Sequence, residues 1–187
     1  MLKLFIWLWM ALVSAFSCGT TDYPAPAFVD NPDCASISQE QLPLTDVTIS
    51  DGTRSVDIVA ETARTGSQQQ QGLMCRSSVP ENTGMVFLFD GPRSGGFWMF
   101  NTYSPLDIIF ANETQAVAII SMEPCPRDGG ENDTAWRNRC SAAAVGYHPE
   151  EQYTSALELP QGWLESQGFD TTAPATITVE YSPASDS

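Results

Sequence analysis

The chain has almost no basic nitrogen outside arginine. Of its 187 residues Lys3 is the single lysine and His148 the single histidine, and 8 lysines and arginines face 23 acidic residues, a net charge of −15. Such a surface repels phosphate backbones and anionic headgroups. Nucleic acid is thereby excluded as a partner class, and a membrane is left only through an N-terminal anchor. With one histidine, in "GYHPEE", Ser–His or Cys–His chemistry has a single base to depend on, beside a proline in a polar loop. Close pairs of cysteine or histidine are missing, so zinc has no ligand set. "GPRSGG" holds neither a GxGxxG turn nor a P-loop lysine, so nucleotide phosphates have no cradle. No metal or cofactor is expected. The acidic run "DGGENDT" (Asp128 to Thr134) misses the spacing of a calcium loop, and the loop at 126–139 reads as solvated, with calcium as the alternative.

What is present starts at the N-terminus. Lys3 precedes "LFIWLWMALV", an apolar run too short for the ~20 residues that span a bilayer, and small residues follow. Residues 1–17 read as a secretory signal. Cys18 comes after Ala15, Phe16 and Ser17, as in bacterial lipoprotein signals, so the expectation is a lipidated Cys18 on an extracytoplasmic, membrane-surface protein. Simple secretion or periplasmic export is the alternative. Setting Cys18 aside leaves Cys34, Cys75, Cys125 and Cys140, an even number that favours disulfides in an oxidising compartment. Pairing Cys125 with Cys140 closes one polar loop and leaves Cys34 to tie an N-terminal arm to Cys75, although the connectivity itself stays open.

Residues 18–45 are rich in Pro, Asp and Ser and read as a tether; residues 46–182 read as one domain, and 183–187 as a frayed tail. Strand signals recur in "RSVDIVAET", "MVFLFD", "FWMF", "LDIIFAN", "QAVAIISME", "YTSALELP" and "ATITVEY". The glutamine run ended by Gly72 and "PQGWLESQG" ended by Gly168 predict two short helices. The fold class is α+β, predominantly antiparallel β: a small curled sheet or barrel of about six to seven strands.

Several segments, in order, resemble one family. "QGLMCR", "GMVFLF", "FWMFNTYSPLDIIF", "MEPC" and "ALELPQGWLESQGF" are similar to the pattern GLM-x-R, GM-x-F-x-F, FWM-x-NT-x-x-PLD-x-x-F and LEL-x-x-GW of domain-of-unknown-function family 192 (DUF192). The likeness covers about Val56 to Tyr181. It implies a fold and a site but no reaction, and it departs at "FDTTAPAT", where the family often carries Gly-Asp, and in an enlarged loop before Cys140.

The matching blocks carry the candidate residues. Arg76 suits a bidentate clamp on a carboxylate, or a brace against Asp107 or Glu123. Trp98 suits stacking on a sugar or flat ligand, or the core. Asn101 and Thr102, just ahead of Ser104-Pro105, organise a turn or face a ligand. Asp107 alternates with Leu106 and Ile108 in a strand and so points away from both. The expected function is a non-catalytic cell-envelope module binding a small molecule, a carbohydrate or an envelope protein through a cleft near "FWMFNTYSPLD", with Arg76, Trp98, Asn101, Thr102 and Asp107 as ligand-binding residues. The alternative is a hydrolase with Asp107 and Glu123 as its carboxylate pair. For the anchor, mass spectrometry of the mature N-terminus is expected to find an acylated Cys18; an unmodified start at another residue rules it out.

Overall fold

The computed structural model describes residues 23–183, so the signal, Cys18 and most of the expected tail lie outside the described residues. Seven strands form a closed barrel: β1 (Leu44–Ser50), β2 (Ser55–Ala63), β3 (Thr83–Arg93), β4 (Leu106–Asn112), β5 (Gln115–Met122), β6 (Tyr153–Pro160) and β7 (Thr178–Pro183). Their order around the barrel is β1-β2-β3-β6-β4-β5-β7. Every pairing is antiparallel except β2 with β3. That parallel pair needs a crossover, and it carries the first helix, α1 (Gly66–Gln71), whose Thr65 and Gln68 form a reciprocal capping box. The β4–β5 hairpin turns at Glu113, which takes φ 54°.

One set of alternate residues fills the barrel: Val47 and Ile49, Ile58 and Ala60, Val86, Ile109, Leu157 and Leu159, with Ile177 and Val179. A short helix, α3 (Trp163–Ser166), contributes Trp163 and Leu164 to the same interior cluster. The opposite set, including Met85, Phe87, Ile108, Phe110 and Ala156, is buried as well, beneath Met99, Phe100 and Trp136. A sheet covered on both faces reads as unbroken apolar runs, which is why "LDIIFA" shows little alternation. The close approach of β3 and β6 requires Gly84, where a Cβ would overlap the Glu158 carbonyl oxygen.

Two expectations are corrected by this outer layer. "FWMF" is not a strand: apart from an isolated bridge between Phe100 and Cys125, it crosses the barrel as irregular backbone. It is pinned at its two ends by distant loops, the Phe97 amide donating to the Tyr147 carbonyl and the carbonyl of Asn101, the next residue, accepting from the Cys75 amide. The segment expected as a polar loop contains α2 (Asp133–Ala143), capped by Asn132, whose side chain accepts from the Ala135 amide. Trp136 and Cys140, one turn apart, are its buried residues. Both disulfides form, Cys34–Cys75 and Cys125–Cys140. Closing separations of 41 and 15 residues contributes about 4 and 3 kcal/mol in the chain-entropy model. Among the described residues no helix is long and apolar enough to cross a membrane.

The stretch expected as a tether lies against the domain from Tyr23 onward. Phe28 bridges to Arg76, and the Val29 amide donates to the Cys75 carbonyl. Arg76 is buried there and pairs with neither Asp107 nor Glu123. Its Nη2 donates to Glu61 Oε2 at 2.9 Å, and its guanidinium stacks over Phe28 at 4.7 Å. Glu61 also accepts from the Leu42 amide and the Tyr23 hydroxyl, which together complete its shell. Burial, and then the Glu61 charge, push the Tyr23 hydroxyl upward. Removing one partner leaves an uncompensated buried charge, so Arg76→Met is expected to cost about 3–5 kcal/mol in urea denaturation. The double variant Glu61→Leu/Arg76→Met should recover most of that loss; a single-variant cost below about 1 kcal/mol would contradict the brace.

Candidate functional site

The crossing segment, α1, α2 and the N-terminal arm enclose a cleft of about 520 Å³. An aromatic tier forms one side. Trp98 stacks on Phe100 at 4.9 Å and 16°, and Phe100 lies 4.0 Å from Trp136. The tier is held from behind, because Trp136 Nε1 donates to the Cys125 carbonyl at 3.0 Å. Asn101 follows in the left-handed region, φ 55°, which asparagine tolerates better than most residues. Its side-chain amide donates to the Asp33 carbonyl, which joins the crossing segment to the arm.

Charge lines the rim. Arg127 lies over Trp136 at 4.4 Å, donates to Asp33, and pairs with Asp133. The hydrogen bond from Arg127 holds the Asp133 carboxyl below its ordinary value. Arg139 binds Glu131 at 2.8 Å and drives that carboxyl down to about 2. Acids of the loop once weighed for calcium are therefore engaged by arginines. Arg137 differs: it is exposed, lies over Phe100 at 4.7 Å, and forms no ion pair among the described residues.

The expected site residues separate into groups. Trp98 and Asn101 line the cleft. Thr102 lines a small recess beside it and donates to the Phe100 carbonyl. Arg76 is sealed beneath the arm. Asp107 is buried where α3 begins, accepting from Ser121 Oγ at 2.6 Å and from the Gly162 amide at 2.7 Å. Glu123 is exposed and accepts from Gln161 Nε2 at 3.3 Å. Neither carboxylate lines the cleft. His148 is exposed in the turn after α2.

Trp136 and Arg137 line the cleft and Glu158 the small recess beside it, three residues that the sequence alone did not single out. The first two sit in the segment read as a loop, where the capping Asn132 and the four-residue spacing of Trp136 and Cys140 were the available signal. Glu158 was marked only as part of a strand. It is a carboxyl between Leu157 and Leu159 on a strand buried on both faces. Its Oε2 is buried without a hydrogen-bond partner, and burial alone pushes it up to about 8.

Residues 47–174 match the model of DUF192, an uncharacterized ACR, and the chain belongs to that family. A solved structure from Sinorhizobium meliloti 1021, described as a candidate transcription regulator, is 25% identical with a TM-score of 0.59, covering 77% of this chain and 98% of that one. A protein of unknown function from Novosphingobium aromaticivorans DSM 12444 is 26% identical with a TM-score of 0.59, covering 84% and 93%. No curated protein matches the chain.

Glu158 makes stability depend on pH. Between the ordinary carboxyl value of 4.5 and about 8, the folded chain keeps a proton that the unfolded chain releases. The contribution is therefore full below the lower value and is lost as pH rises through the upper one, at ~1.4 kcal/mol per unit. Glu158→Gln is expected to flatten the unfolding free energy between about pH 5 and 8 by a few kcal/mol. Urea titrations of both proteins across that window check it, and identical slopes would count against a protonated Glu158.

Proposed function

We propose that this chain is a non-catalytic extracytoplasmic module whose aromatic cleft binds a small ring-bearing molecule with a polar edge, a carbohydrate being one such class. The observation that carries the reading is the half-exposed ring of Trp98, backed by the buried rings of Phe100 and Trp136 and walled by the arm and by α1. A flat or ring-shaped face stacks on that Trp98 ring, while hydroxyls and amides of the ligand meet the exposed Gln70 and Arg137 at the edge. Arg76, a candidate anchor in the sequence, is committed to Glu61 and plays no part in this reading.

A hydrolase would need two carboxylates opening on one cleft. Asp107 instead spends both oxygens on Ser121 and Gly162, as a brace between β4 and α3 would. The extracytoplasmic assignment draws support from the two disulfides, which persist in oxidising compartments. The N-terminal segment read as a signal agrees with it.

A panel of monosaccharides, disaccharides and aromatic small molecules is the direct test, read by thermal shift and by tryptophan fluorescence. Two of the three tryptophans beyond the signal, Trp98 and Trp136, line the cleft, so a bound ligand reports on itself. A ligand at ten times its Kd is expected to add about 1.4 kcal/mol, a rise of roughly 3–5 °C. Trp98→Ala should abolish the shift, and Arg137→Ala should weaken it without lowering the ligand-free melting temperature. A panel without any shift, or a shift unaffected by Trp98→Ala, overturns the reading.

A further inference from the structure

Beside the cleft, and sharing Gln70, Gln71, Met74 and Trp98 as a common wall, lies a recess of about 30 Å³. Phe87, Phe97 and Trp98 give it aromatic walls, with Phe87 and Phe97 edge to face at 4.9 Å. Glu158 projects into it. Three of the donors nearby are directed elsewhere: the Gln69 amide donates to the Leu88 and Arg64 carbonyls, the Gln71 amide to the Ser38 carbonyl, and Thr102 to Phe100, while Gln70 is exposed at the shared wall. The recess thus offers an acceptor among π faces and leaves that acceptor unmatched.

We propose that the Glu158 recess is a primary-ammonium subsite of the cleft, taking a ligand whose ring stacks on Trp98 and whose ammonium group reaches the Glu158 carboxylate. The proposal rests on the cleft reading above and narrows it to amine-bearing ring compounds. Three physical features converge. A carboxylate with aromatic faces around it is the chemistry that recognises an ammonium, by charge and by cation–π attraction. The volume admits one or two water-sized groups, enough for an amino group but not for a guanidinium. The net charge of −15 draws cations to the molecule and disfavours anionic ligands.

The groups facing Glu158 from the neighbouring elements are uncharged. β3 presents Met85 and Phe87, β4 presents Ile108, α1 presents its glutamines, and the crossing segment presents Trp98 and Thr102. Glu61 lies in the same cross-strand row beyond Met85 and is neutralised by Arg76. Free Glu158 therefore keeps its proton at neutral pH. Capture of an ammonium ion converts it to carboxylate and sends one proton to the buffer. Affinity for the amine then rises about tenfold per pH unit below the carboxyl's midpoint.

Calorimetry of the secreted chain with benzylamine and with benzyl alcohol, its uncharged counterpart, decides the matter. Benzylamine is expected to bind at least about tenfold more tightly at pH 7, to gain about tenfold between pH 6 and 7, and to release one proton in buffers of different ionisation enthalpy. Glu158→Gln should remove all three effects while leaving benzyl alcohol binding and the fold intact, the latter checked by circular dichroism. Equal affinity for the two probes, or a benzylamine preference that survives Glu158→Gln, overturns the subsite. If both probes bind equally and lose binding in Trp98→Ala, the cleft stands and the ammonium subsite alone falls. If neither binds up to millimolar concentration, both fall.

Discussion

Asn101 is the joint on which the outer layer hangs. Its amide donates to the Cys125 carbonyl, its carbonyl accepts from the Cys75 amide, and its side chain donates to the Asp33 carbonyl. Those three partners belong to the second disulfide, the first disulfide and the arm. One residue in the left-handed region therefore ties three separately folded pieces of irregular chain. An irregular segment buried over a barrel meets its backbone groups without the ladder of a sheet, and at Asn101 the crossing segment does so by meeting other loops. Most side chains would strain at φ 55°, whereas asparagine adopts it at small cost and adds a donor that alanine lacks.

Covering the barrel on its outer face has an electrostatic consequence. Glu61, Met85, Glu158 and Ile108 form one row across β2, β3, β6 and β4. Two carboxyl groups in that row are buried, and they meet opposite fates. Glu61 receives Arg76, the Leu42 amide and the Tyr23 hydroxyl, so its charge is compensated within the protein. Glu158 receives nothing and is held neutral by desolvation. The arm that completes the Glu61 shell does not supply a donor to Glu158, and the remaining open acceptor lies beside the cleft.

Much of the barrel was legible because strands leave a local trace. The runs "RSVDIVAET", "LDIIFAN", "QAVAIISME" and "YTSALELP" map closely onto β2, β4, β5 and β6, and the glutamine run onto α1. The site was less legible because its walls are made by contacts distant in sequence. "FWMF" has the composition of a strand, but it has no ladder partner. The α2 helix has only two buried side chains in eleven residues, too few to show a helical period among polar neighbours. Trp98 and Asn101 line the cleft, whereas the exposed arginine at its edge is Arg137 and Arg76 is buried against Glu61. No pattern along the chain announces that Arg76 is claimed by Glu61 in β2 and covered by Phe28 of the arm.

The placement of the cysteines links compartment to site. None of the four cysteines among the described residues belongs to the cluster that fills the barrel; Cys125 and Cys140 belong to the outer cluster, and Cys34 and Cys75 join the arm to the crossover. One disulfide anchors the arm beside Asp33 and Ile37, a wall of the cleft, and the other holds α2 so that Trp136 faces Phe100. The arm and α2 have little secondary structure of their own: α2 is eleven residues long, and the arm holds a single 3₁₀ turn, so their contacts with the barrel and the disulfides hold them. Helices of that length are marginal on their own. The barrel's stability rests on its interior packing, while the walls of the cleft are tied by hydrogen bonds, ion pairs and two covalent bonds that an oxidising environment maintains. Fold and cleft therefore draw on different contacts, with the two disulfides tying only the outer walls and none of the barrel's interior.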